Sequence, residues 1–484
     1  MAKILIILPY SGAQFTGGLA VVNEQLTKAL AEKHDVKLLT CELPPRAMAT
    51  REGHGRAELL VIPSQVTSKM KDPGGRDGDE ERKVLYQLIN SEEVILGKDV
   101  AQLLGDWQPE VILGHSRFSG PAAIKLKQKR FNNAKVGYFL HSYPPVEGLL
   151  LSGYEAFEEA VNAQSAEAKL NEEKEWIGQA DVVLAVGPMM RWGATLMLDS
   201  LGRKQPRVHE VIPGIMPADT CKTKVPIEIG KEVTFLLCGR ASAPVKGFQD
   251  MVIAALQLRN ADREEVRKLK VGVHIKVRGM STAKYGERQE RIVTSETVQK
   301  WTDGVFGDQC KDDRVRIEVL ESVPQDKIMA EYQSAHGVLT AAYLEHFGLV
   351  PFEALGCGRP VLVSEMSGSG QFLKSRFPEL GGPCVVEDFT FPGQRPFTST
   401  VLKRFSRDAF DARPDAWERA IFDLANNIEA RIAAAGKLME QLADNYTISH
   451  FAVSVLAAFQ PQWDGKITRQ MAGGEVQEVQ GKEL

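Results

Sequence analysis

The chain lacks most of what would mark it as anything but an ordinary globular protein. Its 484 residues hold six cysteines, Cys41, Cys221, Cys238, Cys310, Cys357 and Cys384, with no Cys-x-x-Cys pair. A disulfide scaffold is thereby excluded, and thiols set in apolar runs pack as small hydrophobes, which points to a reduced, cytoplasmic protein. There is no basic run of the kind a phosphate backbone requires, and 59 Lys+Arg against 63 Asp+Glu leave a net charge of -4. Nucleic acid is not an expected partner. Long apolar runs are missing too: Ile4 to Leu8 is ended by Pro9 and Tyr10, too soon for a signal peptide or a membrane span. Without a basic amphipathic helix, membrane contact is expected to be peripheral at most. His34, His54, His209, His274, His336 and His450 are dispersed with no ligand spacing, so no metal site is expected.

What is present is a core of ordinary size. Hydrophobic residues make up 43% and charged residues 25%, and the length suits two to three domains. Short apolar runs alternate with segments of helical period, the pattern of parallel sheets covered by helices on both faces. Candidate strands of a first domain begin at Ile4, Val36, Leu59, Val111, Val136 and Val182, the last of them ending at Val186. A second series begins at Val233, Val271, Arg314, Gly337 and Pro360. The fold class is therefore α/β, with two doubly wound domains. Pro213, Gly214, Pro217 and Pro226 mark the linker. The expected division is residues 1–213, then 230–440, a helical segment 441–463, and a polar tail 464–484. Residues 63 to 83, around Lys71-Asp72-Pro73-Gly74-Gly75, read as a polar surface loop, and Pro414 to Phe459 reads as helical.

Three places could carry chemistry. After the first strand, Ser11-Gly12-Ala13-Gln14-Phe15-Thr16-Gly17-Gly18 leads into a helix. Such a turn lets backbone N–H groups approach an anion, or is simply tight; it matches neither Gly-x-Gly-x-x-Gly nor the P-loop. The strand ending at Cys238 is followed by Gly239-Arg240 and Lys246-Gly247. These two cations are either a diphosphate clamp or solvated surface charges. The densest signal is Glu345-His346-Phe347-Gly348-Leu349-Val350-Pro351-Phe352-Glu353-Ala354-Leu355-Gly356-Cys357-Gly358-Arg359-Pro360. Glu353 near a helix start could accept two ribose hydroxyls and Glu345 sugar hydroxyls, or both could be ordinary acidic residues of a helix N-terminus.

Gly239-Arg240 with Lys246-Gly247, followed by Glu345-x7-Glu353, resembles the core signature of retaining family-4 glycosyltransferases of the GT-B fold. The resemblance extends to Gly17-Gly18, to Ala180-Asp181-Val182-Val183 and to Val211-Ile212-Pro213-Gly214. It implies two Rossmann-like doubly wound domains facing a cleft, a nucleotide-sugar donor such as a UDP- or GDP-sugar, a small-molecule, glycan or other acceptor, and no cofactor. It further implies that Arg240 and Lys246 hold phosphates, Glu353 the ribose and Glu345 the sugar. Backbone N–H groups of Phe347, Gly348, Leu349 and Val350 would lie nearby. His141, at a strand end in Phe139-Leu140-His141-Ser142, matches the histidine facing the transferred sugar, and Val323 in Ser322-Val323-Pro324 the segment beside the base. Two positions depart from the family: Pro213-Gly214-Ile215-Met216 replaces the usual linker ending, and Gln371 stands where glutamate is common. Asp77-Gly78-Asp79 mimics the metal-binding Asp-x-Asp of another glycosyltransferase fold, but in a segment unsuited to rigid ligation. His115 faces the same crevice as His141 or is a packing residue, His346 reads as a local support for Glu345, and Tyr143 and Tyr154 line an acceptor site or pack. A phosphorylase of the same fold and an inactive nucleotide-sugar-binding regulator are the alternatives.

Overall fold

The computed structural model describes residues 1–9, 18–41, 55–62, 78–143, 164–202, 205–214, 228–239, 246–259, 268–280, 294–303, 314–321, 323, 325–342, 345–388 and 413–460. Seven strands form the first sheet: β1 (Lys3–Ile7), β2 (Asp35–Cys41), β3 (Glu58–Ile62), β4 (Val111–His115), β5 (Lys135–Leu140), β6 (Val182–Val186) and β7 (Arg207–Val211). Six form the second: β8 (Glu232–Cys238), β9 (Gly272–Met280), β10 (Val315–Glu321), β11 (Gly337–Thr340), β12 (Val361–Ser364) and β13 (Val385–Val386). Every pairing is parallel, in the orders β3-β2-β1-β4-β5-β6-β7 and β10-β9-β8-β11-β12-β13. Strand order reverses between β1 and β4 in one sheet and between β8 and β11 in the other, and at such switch points the carboxyl ends diverge into a crevice.

Near-continuous apolar strands arise because helices cover both faces. Along β1, Leu5 and Ile7 enter one apolar cluster while Ile4 and Ile6 enter another. The second cluster does not stop at the first sheet. It runs from Phe139 and Leu184 through Leu236, Phe347 and Phe352 to Leu438, Leu442 and Phe451, joining the inner faces of both sheets. The helix Ile428–Asn445 lies against the second sheet's side, and the helix Ile448–Ala457 returns to the helix Gly18–Ala31 and to β7.

Two doubly wound units are thus borne out, with corrections at their margins. β7 follows what the sequence suggested was the last strand of the first series, and β13 is likewise unanticipated. The surface loop expected over 63–83 gives way at Gly78 to the helix Gly78–Asn90, while 63–77 lies outside the described residues. The helical stretch Pro414 to Phe459 is three helices: Arg413–Asn426, Ile428–Asn445 and Ile448–Ala457. A continuous apolar period hid the breaks, the second of which has Thr447 accepting from the His450 N–H as an N-cap. No described helix is long and apolar enough to cross a membrane.

Candidate active site

At the second switch point, β8 ends at Cys238, and Lys246-Gly247 leads into the helix Phe248–Leu258. Gly247 is left-handed (φ +67°), and a Cβ there would lie 2.0 Å from the Ala341 carbonyl oxygen, so this turn requires glycine to pass the end of β11. The close approach brings Lys246 Nζ within 2.5 Å of Glu345 Oε1, an ion pair of two partly buried side chains. Arg240 lies outside the described residues.

The chain leaving β11 is held from behind. Arg413, fully buried, pairs with Asp388 (2.5 Å) and Asp250 (2.9 Å) and donates to the Ala341 carbonyl (2.9 Å). Trp417 donates to the same Asp388 oxygen (2.9 Å) and Ser364 to its partner oxygen (2.8 Å). On the far side, the N–H groups of Gly368 and Ser369 donate to the carbonyls of Glu345 and Phe347, each at 2.8 Å. Gly370 N–H is taken by the Ser367 cap (2.9 Å). The 367–371 turn therefore spends these donors on holding the Glu345 loop, consistent with the weak family match at Gln371.

Glu353 sits in the first turn of the helix Val350–Gly356, with Leu349 as its N-cap. Tyr332, buried on the neighbouring helix Gln325–Ser334, donates to Glu353 Oε2 at 3.2 Å. Burial first, then the Cys238 and Glu353 neighbours, drive the Tyr332 hydroxyl well above its ordinary range, and burial pushes the Cys238 thiol up to about 11. Both stay protonated at neutral pH, so Glu353 keeps a donor beside it. Phe347 is a packing residue: it stacks on Phe352 (5.1 Å) and fills the space over Gly187, where a Cβ would meet its ring at 2.5 Å. Leu349, Val350 and Val323 are half-buried against the shared apolar cluster, and Gly348 is left-handed (φ +81°).

The first sheet contributes imidazoles. In the β4–β5 register His115 lies opposite Phe139, so His141, two residues on, falls on the same face. His115 Nδ1 and His141 Nε2 are 2.9 Å apart. Burial, then the neighbouring His346, push His141 down to about 3, and burial drives His115 well below its usual range. His346 comes from the other sheet: its Nε2 accepts from the Tyr143 N–H at 3.2 Å. It thus bridges the two sheets, a role its neighbour Glu345 does not explain. Tyr143 packs edge-on to Trp192. Gly18 opens the helix Gly18–Ala31; Gly17, Ser322, Pro324, Tyr154 and Asp77 lie outside the described residues, and Asp79 falls in the first turn of the helix Gly78–Asn90. Among the described residues no cluster of three or more His, Cys, Asp or Glu side chains is arranged to hold a metal.

Lys246, Glu345, Glu353, His346 and His141 thus gather at carboxyl strand ends of two facing sheets. Tyr332, Arg413 and Asp388, which support them, carry no local sequence signal, while His115, expected either in the crevice or in packing, lies beside His141. A family described as family 4 glycosyltransferases in conflict systems matches residues 12–455. The D-inositol 3-phosphate glycosyltransferase 1 of Catenulispora acidiphila is 26% identical over 282 residues, 57% of this chain and 60% of that protein, so the chain spans less than two thirds of that relative. Solved structures share the fold. A trehalose-6-phosphate protein from E. coli bound with UDP-2-fluoro glucose has TM-score 0.59 and 13% identity over 94% of this chain and 98% of that one. An α,α-trehalose-phosphate synthase (UDP-forming) from Burkholderia xenovorans in complex with glucose-6-phosphate has TM-score 0.59 and 13% identity over 95% and 100%. The arrangement is the GT-B fold, and the chain belongs to the family 4 glycosyltransferases in conflict systems.

Proposed function

We propose that this chain transfers a hexose, with retention, from a UDP- or GDP-sugar to a small-molecule or glycan acceptor. The donor binds residues 230–440 and the acceptor residues 1–213, with 441–463 crossing back and 464–484 a polar tail. The observation that carries the reading is the Lys246–Glu345 pair at one switch point beside His346, whose bond from the Tyr143 N–H reaches the strand end that carries His141, beside His115. Glu345 neutralises Lys246. An entering diphosphate takes over the ammonium, joined by Arg240 six residues upstream, and frees Glu345 to accept hydroxyls of the sugar. Glu353, oriented by Tyr332, accepts the ribose hydroxyls.

The reaction exchanges one bond at the anomeric carbon. As the bond to the diphosphate oxygen breaks, Lys246 and Arg240 stabilise the charge growing on the leaving group. The acceptor hydroxyl attacks from that same face, and its proton passes to the departing phosphate oxygen. A separate protein base is then unnecessary, which suits a neutral His141 that binds the sugar by hydrogen bonding. The relatives' UDP-2-fluoro glucose and glucose-6-phosphate complexes support a nucleotide donor and leave a phosphorylated acceptor as one option to test.

A thermal-shift panel of nucleotides and nucleotide-sugars tests the reading. A ligand at a hundredfold its dissociation constant adds about 2.7 kcal/mol. Stabilisation by one nucleoside diphosphate and its sugar is expected, and stabilisation by inorganic phosphate and sugar phosphate alone would favour a phosphorylase.

A further inference from the structure

His115 is a buried titratable group to which the mechanism above gives no task. It has no exposed surface, and its Nδ1 lies 2.9 Å from Nε2 of His141. With centroids 5.1 Å apart and 28° between planes, the two rings meet edge to edge, as a nitrogen–nitrogen hydrogen bond requires. Phe139 lies along both, its ring 4.8 Å from His115 and 5.5 Å from His141. The backbone is clamped as well. Ser116 Oγ accepts from the His141 N–H (3.2 Å) and donates to the Phe139 carbonyl (3.2 Å). Ser116 itself is left-handed (φ 41°), the lone non-glycine among the described residues in that region, and strain of this kind is tolerated where surrounding bonds over-determine it. Ser119 Oγ accepts from the His115 N–H (3.0 Å) and donates to the Ile7 carbonyl (2.6 Å).

We propose that His115 is a positioning residue that fixes His141 as the tautomer with its proton on Nδ1, so that His141 meets the sugar as a hydrogen-bond donor and cannot serve as a base there. Each neutral ring has one N–H and one lone pair. Buried Nε2 of His115 faces no hydrogen-bond partner among the described residues. A buried N–H without an acceptor is rarer and costlier than a lone pair without a donor. The His115 proton therefore sits on Nδ1 and is donated to His141 Nε2, which must be the lone pair. The proton of His141 is left on Nδ1, on the other side of its ring. Neutrality of both rings agrees with the lowering described above. The inference rests on the reading of His141 as a sugar contact only for its consequence; the tautomer is set by the protein's own residues.

The test is nitrogen-15 NMR of the full chain labelled in histidine, at about pH 7.5, with His141→Ala assigning the His141 signals. Wild type should show His141 protonated on Nδ1. His115→Asn, whose amide N–H can replace the imidazole donor, should keep that state, and His115→Leu should lose it to a mixture. The same three proteins are assayed for release of UDP from UDP-glucose in water. His115→Leu should be about ten- to a hundredfold slower, by analogy with the loss of the partner that orients a metal-binding histidine, and His115→Asn should recover most of the rate. A wild-type His141 protonated on Nε2 overturns the proposal, whether or not His115→Leu folds. So does an unchanged tautomer in a folded His115→Leu. If the tautomer shifts as expected while UDP release does not change, the proposal stands and the sugar-contact reading of His141 falls.

Discussion

The two switch points of this molecule are alike in topology and opposite in chemistry. In the second sheet the crevice beside β8 and β11 is lined by formal charges, Lys246 against Glu345 with Glu353 close by. In the first, the crevice beside β1 and β4 holds two imidazoles that burial keeps neutral, anchored by serine hydroxyls on backbone carbonyls. Charge suits a diphosphate, whose recognition is electrostatic, while neutral donors suit a sugar that carries no charge until the transition state. One fold laid down twice thus presents an ionic half and a neutral half, and the proposed reaction draws on both.

The comparison can be broken from either side. Largest is the neutral half: His141→Ala should lower turnover by about 10² to 10³, the usual weight of one transition-state contact, while calorimetry shows nucleotide affinity intact. Lys246→Ala should slow transfer by about tenfold to a hundredfold and also weaken nucleotide binding, and Arg240→Ala should do the same. If His141→Ala weakened nucleotide binding and Lys246→Ala did not, the division would be reversed. Within the ionic half, Glu353→Ala should cost about tenfold in nucleoside diphosphate affinity, whereas Glu345→Gln should damage turnover more than affinity. Calorimetry and initial rates on both variants separate these roles.

Much of the second site could be read from the chain, and less of the first. The Glu345–Glu353 stretch and Lys246-Gly247 are local in sequence, so spacing alone proposes them. His115 is marked only by its place after a strand, which leaves crevice and packing roles open. Its importance depends on β4 pairing with β5 in the one register that sets it opposite Phe139 and beside His141, a relation across 26 residues. His346 was legible only as a neighbour of Glu345, because its contact with Tyr143 joins two sheets. The strands were recognisable where burial on both faces makes them apolar, from Ile4 onward in β1 and throughout β6. β7 reads Arg-Val-His-Glu-Val because it is an edge strand with half-exposed residues, and β13 has two residues. Neither presents an apolar run to find.

The smallest effect concerns pH. The folded His141 titrates at about 3, below its ordinary 6.5. Between those values the unfolded chain binds more protons, so the stability this residue contributes is complete above about pH 6.5 and is lost as pH falls toward 3. Discounted for partial exposure, about 1 kcal/mol should go between about pH 7 and pH 5, and thermal midpoints of His141→Gln should fall less over that interval. Turnover should show no histidine titration between about pH 6 and pH 8, in contrast to an enzyme using His141 as a base.

The most direct test of the central claim follows the sugar itself. Real-time proton NMR of the first-formed product from an α-linked nucleotide-sugar, with water as acceptor where no other is known, reports the anomeric configuration before it equilibrates. The account predicts the α anomer first, released together with nucleoside diphosphate. A β anomer appearing first would contradict attack from the leaving group's own face, and no release from any UDP- or GDP-sugar would contradict transfer altogether.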